Sequence, residues 1–487
     1  MIKPDLSTFK ELAAESGMVP VCREIVADMD TPLTAFAKVA AGRRHVFLLE
    51  SLQGGEKWGR YSFIGLEPLA TFRSSGSKID ISGREQTGDP IAALKELLAS
   101  FRTCDTSYLP RFFGGAVGYM GYDMVRFMER LPETNQPLDI PDSSFMIPRI
   151  VLVCDNLCQT IAVVNCVAIA DDLDPAAQYQ DALAEIAEIT ALLAGPIPPH
   201  LTAEPEEELK HDFTANMSRD EFTAMVARAQ EYIMAGDVIQ VVLSQRFHSK
   251  TKLSPFALYR ALRHINPSPY LFYVQLDDII QIGSSPEILV RLDNNNVEVR
   301  PIAGTRKRGR NEAEDSTLEE ELLADPKERA EHLMLVDLGR NDLGRVARYG
   351  TVETRDLMVV ERYSHVMHIV SGVHGELKPG LDQFDVLRAC FPAGTVSGAP
   401  KIRAMEIIEE LEPERRGPYA GAVGYFGFSG NMDICITIRT FLMRGDDLWV
   451  QAGAGIVADS DPEAEFEETI NKAMGLRKAV ELAEKGL

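Results

Sequence analysis

The chain has 487 residues, of which 45% are hydrophobic and 25% charged, a composition typical of a folded protein rather than a disordered or coiled-coil chain. Its 73 acidic and 50 basic residues leave a formal net charge of −23, which disfavours nucleic acid and anionic membrane surfaces as partners. An anionic small-molecule substrate would need a local cation, either a metal ion or a few well-placed arginine and lysine side chains.

The N-terminus and the cysteines indicate a cytoplasmic protein. The opening segment MIKPDLSTFKELAAESG lacks the apolar core of a signal peptide. The most apolar stretch, residues 150–170, is interrupted by polar residues such as Asp155 and Asn165 and is unsuited to span a bilayer. The seven cysteines have no metal-site spacing and lie beside apolar residues, as reduced core thiols do.

Residues 45–165 contain short runs rich in β-branched and aromatic residues, together with one amphipathic helical pattern at PIAALKELLASF. Residues 195–217 carry four prolines and an acidic run without apolar periodicity, which is typical of a linker. Helical and strand patterns are mixed from there to the C-terminus. The alternation predicts an α+β or α/β architecture with helices layered on sheets.

The pattern after this linker predicts a helix followed directly by a strand. Ser218 and Glu221 form a capping box at the start of the helix, and Gly236 suits its C-terminus. The strand VIQVVLSQRF carries polar side chains on one face. That face either lines a site or meets solvent, and the pattern alone favours solvent. Its polar residues are Gln240, Ser244 and Arg246.

Asp-Pro pairs at positions 325–326 and 461–462 predict two helix starts, with aspartate as the N-cap and proline in the first turn. Each is followed by two glutamates three residues apart, which share one face of a helix. If the faces met, four carboxylates would converge and would require a hard divalent cation, above all Mg2+. The alternative, favoured by the local pattern alone, is that these acids face water and stabilise the helix dipole. The glutamates are Glu328 and Glu331, then Glu465 and Glu468.

Three glycine-containing loops, at 301–310, 393–401 and 451–456, would let backbone N–H groups approach an anion, although each alone is compatible with an ordinary turn. Glu287 follows a proline within an apolar run, so it is either a buried candidate acid with a raised pKa or a turn residue. His368 is a candidate general acid or base, although a single histidine on an apolar strand is more often a core residue.

Ten segments of the chain occur in one characteristic order. They are GDVIQVVLSQRF, NPSPYLFY, GSSPEILVR, PIAGTR, EHLMLVDLGRNDLGRV, RYSHVMH, GTVSGAPK, GPYAGAVGYFG, TIRT and QAGAGIVADSDPEAEFEETINK. In these segments the chain resembles the chorismate-utilising enzymes, and within them the large subunits of anthranilate synthases. The resemblance divides the chain into an N-terminal segment, residues 1–200, which carries part of a tryptophan site, and a chorismate-binding catalytic segment, residues 215–487.

The resemblance implies an α+β fold with four layers, α/β/β/α, in which two facing antiparallel sheets are flanked by helices. It implies conversion of chorismate and ammonia to anthranilate and pyruvate, the first committed step of tryptophan biosynthesis. Ammonia would add at ring carbon C2 as the C4 hydroxyl leaves, and pyruvate would then be eliminated. Glu287 matches the acid that protonates the leaving hydroxyl, and His368 matches the group that transfers a proton during elimination.

The resemblance also implies a set of ligands for metal and substrate. Glu331 and Glu468 match the carboxylates that hold Mg2+, which in turn binds the ring carboxylate of chorismate. Glu328 and Glu465 would lie close to the ion through water. The implied contacts to the rest of the substrate are Arg439 and Tyr419 at the enolpyruvyl carboxylate, with Gly304, Thr305, Thr395, Gly453, Gly455 and Lys472 around it.

Two positions distinguish members of the family. Water-using isochorismate and salicylate synthases carry a lysine base where this chain has Gln240. Aminodeoxychorismate synthases carry a nucleophilic lysine where it has Ala303. Lacking both lysines, the chain resembles members in which ammonia attacks C2, and Gln240 is counted among its catalytic residues.

None of the seven cysteines lies in the Gly-x-Cys-x-Gly motif of a fused glutamine amidotransferase. A separate glutaminase subunit is therefore expected to deliver ammonia through an internal channel, in a heterotetramer or a similar assembly. The resemblance also implies feedback inhibition by L-tryptophan, whose indole would lie against apolar walls. The residues that match this inhibitor site are Glu50, Ser51, Lys57, Pro269, Tyr270 and Leu271.

Three alternatives stay open at this point. An aminodeoxyisochorismate synthase would stop after amination and release no pyruvate. A catalytically inactive regulatory subunit would bind chorismate or tryptophan without turnover, although the complete set of acidic residues argues against it. A carboxylate-rich scaffold would show no Mg2+-dependent ligand binding.

Overall fold

The computed structural model describes residues 2–52, 59–104, 106, 108–170, 172–199, 212–363 and 366–486. Two short 3-10 turns, at Tyr122–Phe127 and Gly394–Val396, supplement the α-helices of these ranges. The α-helices are α1 (Leu6–Glu15), α2 (Pro32–Ala40), α3 (Pro90–Ser100), α4 (Pro175–Ala194), α5 (Arg219–Ala235), α6 (Pro255–Ile265), α7 (Glu312–Ala324), α8 (Pro326–Val346), α9 (Gln383–Cys390), α10 (Lys401–Leu411) and α11 (Pro462–Glu484).

The strands of these ranges form one continuous network of antiparallel pairings. They are β1 (Ile2–Lys3), β2 (Met18–Val26), β3 (His45–Glu50), β4 (Tyr61–Ser75), β5 (Lys78–Ile81), β6 (Arg84–Thr87), β7 (Gly115–Met120), β8 (Ser143–Asp155), β9 (Thr160–Ala168), β10 (Thr214–Ala215), β11 (Gln240–Lys250), β12 (Tyr270–Leu276), β13 (Ile279–Ser285), β14 (Ile288–Asp293), β15 (Asn296–Val299), β16 (Ile302–Lys307), β17 (Glu353–Arg362), β18 (Val366–Glu376), β19 (Gly398–Ala399), β20 (Ala422–Gly427), β21 (Met432–Ile436), β22 (Thr440–Arg444) and β23 (Asp447–Ile456).

Two long strands, β4 and β8, pass through both sheets of the fold. Their register shifts between Pro68 and Ala70, an irregularity of the kind that bends a strand pair. On one side of the shift β4 also pairs with β3, and one sheet continues through β12, β13, β22 and β23 to β11. On the other side β8 also pairs with β7, and the second sheet continues through β20, β21, β14 and β15 to β18.

The two sheets face each other across an aromatic core. The ring centroid of Tyr425, on β20, lies 6.1 Å from that of Phe63 on β4 and 4.1 Å from that of Phe112. Phe47 of β3 and Phe272 of β12 belong to the same buried cluster. Burial of each such side chain contributes about 1.5–3 kcal/mol, so this core joins the two sheets strongly.

Helices cover the outer face of each sheet. One apolar cluster joins the first sheet to α1, α2, α4, α6 and α11, and another joins the second sheet to α3, α8 and α9. The predicted α+β fold, with α/β/β/α layers and two facing antiparallel sheets, is therefore confirmed. The helical residues in these clusters include Phe9, Phe36, Ile186, Leu262 and Val480 on the first sheet, and Leu94, Val336 and Leu387 on the second.

Strands from the two predicted segments pair with each other. β3 pairs with β12, so that Glu50 lies opposite Leu271, and β7 pairs with β20. The division into residues 1–200 and 215–487 stays a prediction, and most of the predicted linker, residues 200–211, lies outside the described ranges. No helix in the described part of the chain is long and apolar enough to cross a membrane.

The predicted start of α5 is confirmed, but the predicted environment of β11 is wrong. Ser218 N–H donates to Glu221 Oε2 at 2.7 Å, and Gly236 ends the helix with a φ of +84°. The polar face of β11 does not meet solvent, because carboxylates from distant parts of the chain accept hydrogen bonds from it. Gln240 donates to Glu331, Ser244 to Glu412, and Arg246 to Glu414.

A buried ion pair anchors this face of β11. Arg416 and Glu412, which follow α10, are only 2% and 4% exposed. Arg416 Nη2 donates to Glu412 Oε1 at 2.6 Å, and Arg416 Nε donates to Oε2 at 2.9 Å, a bidentate arrangement. The same guanidinium donates to the backbone carbonyls of Val396 and Val242, both at 2.7 Å. It therefore connects β11, the turn at 394–396 and the segment after α10.

Replacing Arg416 by methionine is expected to destabilise the fold by about 3–5 kcal/mol, because Glu412 would stay buried without its cation. Urea unfolding monitored by circular dichroism measures the loss as a lower midpoint. The double variant Glu412→Gln/Arg416→Met should lose less, since it leaves no unpaired buried charge. A midpoint for Arg416→Met equal to that of the unaltered chain would contradict the anchoring role.

Candidate active site

A cavity of about 440 Å³ is walled by β11, β16 and β23 and by the N-terminal turns of α8 and α11. Residues predicted at widely separated positions of the sequence meet on its wall. His368 is not on the wall itself but bonds to wall residues. The predicted residues on the wall are Gln240, Glu287, Gly304, Thr305, Glu328, Glu331, Thr395, Tyr419, Arg439, Gly453, Gly455, Glu465, Glu468 and Lys472.

The two acidic helix starts form as the sequence predicts. Asp325 Oδ1 accepts hydrogen bonds from the backbone N–H groups of Lys327 and Glu328, at 2.9 and 3.4 Å. Asp461 Oδ1 accepts one from the N–H group of Ala464 at 2.9 Å. Because the first turns of both helices line one cavity, stabilisation of the helix dipole does not by itself account for their glutamates.

The glutamates of the two helices interact electrostatically. Burial raises the pKa of Glu331, and the charges of Glu328 and Glu468 raise it further, while the amide of Gln240 opposes the shift. Burial and the charge of Glu468 likewise raise the pKa of Glu465. Negative charges that disfavour one another in this way attract a cation.

The carboxylates also have protein partners. Arg306 Nη1 donates to Glu328 Oε1 at 2.9 Å, and Gln240 Nε2 donates to Glu331 Oε1 at 3.2 Å. Lys472 Nζ lies 2.7 Å from an oxygen of Glu468. Within the described ranges, no three His, Cys, Asp or Glu side chains converge closely enough to enclose a metal ion. The donor set still fits Mg2+, which keeps several waters and takes only one or two carboxylates as ligands.

Arg439 brings the opposite charge to the same cavity. Its Nη1 donates to the backbone carbonyl of Lys472 at 3.0 Å, and the guanidinium forms no ion pair with a described carboxylate. Burial lowers the pKa of Arg439, and the residue has a left-handed φ of +53°. A half-buried guanidinium without a carboxylate partner can bind an anionic ligand bidentately.

Two hydroxyl groups line the cavity. Burial raises the pKa of Tyr419 to about 12, which keeps its hydroxyl neutral and able to donate a hydrogen bond. Thr395 Oγ1 is buried and forms no hydrogen bond of normal geometry with the described residues. The Thr395 hydroxyl lies near the Glu287 carboxyl, whose pKa it lowers, and both residues line the cavity.

Two glycines of β23 lie close to neighbouring atoms. A Cβ atom on Gly453 would lie 2.7 Å from Tyr419 Oη and 2.8 Å from the backbone carbonyl oxygen of Leu243, so glycine is required there. A Cβ atom on Gly455 would lie 2.5 Å from Gln240 Nε2 and would displace the end of that side chain. Both glycines leave the backbone open to close approach by a ligand.

Glu287 lies in the short connection between β13 and β14 and is buried. It is therefore both a buried carboxyl and a residue of a turn, the two possibilities that the sequence left open. Burial raises its pKa to about 8, and the nearby Thr395 hydroxyl and Ile302 backbone only partly oppose this shift. The carboxyl is consequently mostly protonated at neutral pH, which is the state required of a general acid.

His368 lies opposite Thr305 in the pairing of β16 with β18. Its Nδ1 is 3.0 Å from Thr305 Oγ1 and 3.1 Å from the carbonyl oxygen of Gly304. Because a carbonyl oxygen can only accept, the neutral ring carries its proton on Nδ1 and leaves Nε2 as the proton acceptor. Burial lowers the pKa of His368, which favours this neutral form.

Several wall residues were missed from the sequence. Lys327 Nζ donates to Asp459 at 3.1 Å, and Gln451 Nε2 donates to Ser244 Oγ at 2.9 Å. Strand periodicity could have found Gln451, since it shares a face of β23 with Gly453 and Gly455. The apolar wall residues carry no local signal, and they include Val242, Ile302, Leu335, Val396, Ile438, Val457 and Leu476.

A second cavity, of about 60 Å³, brings together most of the predicted tryptophan site. Glu50 Oε2 accepts hydrogen bonds from the Tyr259 hydroxyl at 2.5 Å and from Arg263 Nε at 3.0 Å. Aromatic side chains supply apolar walls. Lys57 lies outside the described residues. The predicted residues on this wall are Glu50, Ser51, Pro269, Tyr270 and Leu271, and the aromatic ones include Phe63, Phe272 and Tyr425.

Comparison with known proteins identifies the family. The chorismate binding enzyme family matches residues 44–478. Anthranilate synthase component 1 of Aquifex aeolicus is 50% identical over 98% of both chains, and that of Acetivibrio thermocellus is 47% identical over 99% of both. The crystal structure of anthranilate synthase component I from Streptococcus pneumoniae superposes with a TM-score of 0.78 at 37% identity, covering 93% of this chain and 98% of that one. The chain therefore belongs to the chorismate-binding enzymes, and within them to the anthranilate synthase component 1 family.

Proposed function

We propose that this chain converts chorismate and ammonia to anthranilate and pyruvate in tryptophan biosynthesis, with Mg2+ bound by glutamates of α8 and α11. One observation carries the proposal: Glu287 is a buried carboxyl with a pKa of about 8 on a wall that also contains four glutamates and Arg439. Hydroxide is a poor leaving group, so its departure requires such an acid. The names of the relatives support the same reaction.

Chorismate has two carboxylates, and the cavity offers a different partner to each. The enolpyruvyl carboxylate is proposed to bind the unpaired guanidinium of Arg439 and the hydroxyl of Tyr419. Mg2+, when held by Glu331 and Glu468, would supply positive charge to the ring carboxylate. The remaining contacts are proposed for Gly304, Thr305, Thr395, Gly453, Gly455 and Lys472, with Glu328 and Glu465 acting through water near the ion.

In the first step, ammonia adds at C2 while Glu287 donates its proton to the C4 oxygen, which departs as water. In the second step, Nε2 of His368 accepts the proton of ring carbon C2 as the bond from the ring to the enolpyruvyl oxygen breaks and the ring becomes aromatic. The enolpyruvate that leaves takes up a proton from solvent at its methylene carbon and becomes pyruvate. The hydrogen bonds at Nδ1 support this role, because they hold the imidazole in the tautomer that has a free Nε2 lone pair.

The choice of nucleophile is proposed to depend on two neutral wall residues. Gln240 cannot deprotonate water, and its amide already donates to Glu331. Ala303, also on the wall, cannot form a covalent adduct with the ring. Ammonia therefore attacks without a lysine base or nucleophile.

Ammonia is proposed to come from a separate glutaminase subunit, in a heterotetramer. The name component 1, which the relatives carry, supports a two-component enzyme. L-Tryptophan is proposed to inhibit at the second cavity, where the aromatic walls suit an indole ring and the carboxylates of Glu50 and Asp433 lie at the same wall.

Incubation of the purified chain with chorismate, Mg2+ and ammonium at alkaline pH tests the proposal. Anthranilate is followed by fluorescence and pyruvate in parallel. Equal amounts of the two products, abolished by EDTA, are expected. Loss of chorismate without pyruvate would instead identify an aminodeoxyisochorismate synthase, and no loss of chorismate would identify a non-catalytic binding subunit.

Glu287→Gln is expected to lower kcat about 10²–10⁴-fold, because the amide cannot donate a proton to the leaving oxygen. For the unaltered chain, activity should decline as pH rises through about 8, where Glu287 loses its proton. The profile is measured at a constant concentration of free ammonia, so that ionisation of ammonium does not contribute. A flat profile across this range would contradict the role of Glu287.

Glu468→Gln is expected to raise the Mg2+ concentration needed for half-maximal activity by at least about tenfold. Glu467→Gln is the matched control, because its exposed carboxylate on the same helix pairs with Arg219. Loss of that surface pair costs little and should leave the Mg2+ requirement unchanged. Equal Mg2+ requirements in the two variants would contradict a metal role for Glu468.

Ser51→Phe is expected to weaken inhibition by tryptophan while leaving activity without tryptophan unchanged, because the larger ring occupies space in the second cavity. Leu52→Phe changes the neighbouring residue, which is not on that wall, and should retain inhibition. Dose–response curves with tryptophan measure both. Unaltered inhibition of Ser51→Phe would exclude this site.

A further inference from the structure

Glu287 lines two cavities. Besides the substrate cavity, it lines a second space of about 40 Å³, here called the rear cavity. Thr395 and Leu335 are also common to the two walls. About 10–15 Å³ is enough for one water molecule, so the rear cavity can hold water in contact with Glu287. Its other lining residues include Val299, Arg300, Leu338, Gly339, Asp342 and Cys390.

The proposed reaction gives a second route to Glu287 a use. Each turnover removes the proton of this carboxyl, and its carboxylate must be protonated again before the next. Substrate and then product occupy the substrate cavity until product release. The rear cavity, which Glu287 also lines, offers access that does not depend on an empty substrate cavity.

Among the described residues that line the rear cavity, Asp342 and Glu287 are the two that carry a carboxyl group. Its Oδ2 accepts a hydrogen bond from Lys401 Nζ at 2.8 Å. Burial raises the pKa of Asp342, and the charges of Lys401 and Arg345 oppose the shift. The pair therefore combines Asp342, whose neutral form is favoured by burial, with the ammonium group of Lys401, which can donate a proton.

The other polar groups at the rear cavity are less suited to exchange protons. Arg300 lines it, but its guanidinium donates to Glu361 at 2.6 Å and stays charged. Burial raises the pKa of the Cys390 thiol, so this group stays neutral and is a poor proton donor to a carboxylate. Lys401 Nζ reaches the backbone carbonyl of Cys390 at 3.4 Å, which holds the ammonium beside Asp342.

Asp342 has limited access to solvent, because its side chain is 14% exposed. Leu338, Gly339 and Asp342 are half-buried, whereas Asp337 and Arg340 beside them are exposed. Helix α8 therefore lines the rear cavity with one face and meets bulk water with the other.

We propose that Glu287 regains its proton through the rear cavity, with Asp342 relaying it from solvent. The inference rests on the proposed function. Glu287 gives its proton to the C4 oxygen, which leaves as water; a cavity water then protonates the Glu287 carboxylate and takes a proton from Asp342. A buffer acid in solvent restores Asp342, and the nitrogen added to the ring releases one proton to solvent. No net proton is consumed, and Asp342 is a positioning residue that acts through Glu287.

Asp342→Asn in the ammonium-dependent assay tests the relay. We expect kcat to fall about tenfold or more with an unchanged KM for chorismate, because binding is intact and only proton return is slowed. The lost rate should return as the concentration of a small buffer acid such as imidazolium is raised. The unaltered chain should show no such buffer dependence. Asp337→Asn, an exposed aspartate on the same helix, is the matched control and should behave as the unaltered chain.

Gly339→Ala keeps the test decisive if loss of the Asp342–Lys401 pair prevents folding. A Cβ at Gly339 would lie 3.0 Å from Val299 Cγ2 and would narrow the rear cavity without removing a charge. Its kcat should fall with KM unchanged. Wild-type rates for both variants, or a loss in Asp342→Asn that buffer does not relieve, would overturn the relay. An unaltered chain that makes no anthranilate would overturn the proposed function itself.

Discussion

The buried pair of Arg416 and Glu412 connects the elements that wall the cavity. Its guanidinium holds the carbonyls of Val242 and Val396, both wall residues, and lies 5.6 Å from the ring centroid of Tyr419. Displacing it would leave several buried acceptors unpaired, each at a cost of about 1–3 kcal/mol. This interaction therefore holds the wall segments at Val242 and Val396 together, and the order of the site depends on it.

The cavity contains both signs of charge within a chain of net charge −23. Arg306 and Lys472 engage Glu328 and Glu468, whereas Arg439 has no carboxylate partner among the described residues. Burial, rather than a neighbouring charge, makes Glu287 neutral. Burial therefore makes an acid of Glu287, and the guanidinium of Arg439 supplies positive charge in the same cavity.

Local features of this fold were predictable because their causes are local. The caps at Ser218, Asp325 and Asp461 depend on atoms within four residues, and each forms as the sequence indicates. The convergence of the wall residues depends on packing between distant segments and was reached only through resemblance. The environment of β11 was misjudged for the same reason, because the partner of Ser244 is Glu412, 168 residues away. The tautomer of His368 and the rear cavity have no local signal.

The pairing of β3 with β12 and of β7 with β20 limits how the coding sequence can be divided into two genes. Residues 215–487 produced alone would expose the unpaired edges of β12 and β20, and such edges are templates for aggregation. Splitting the coding sequence at the linker could therefore succeed only if both products were made together and associated by strand addition. The two halves are joined by the same kind of backbone pairing that joins strands within one sheet.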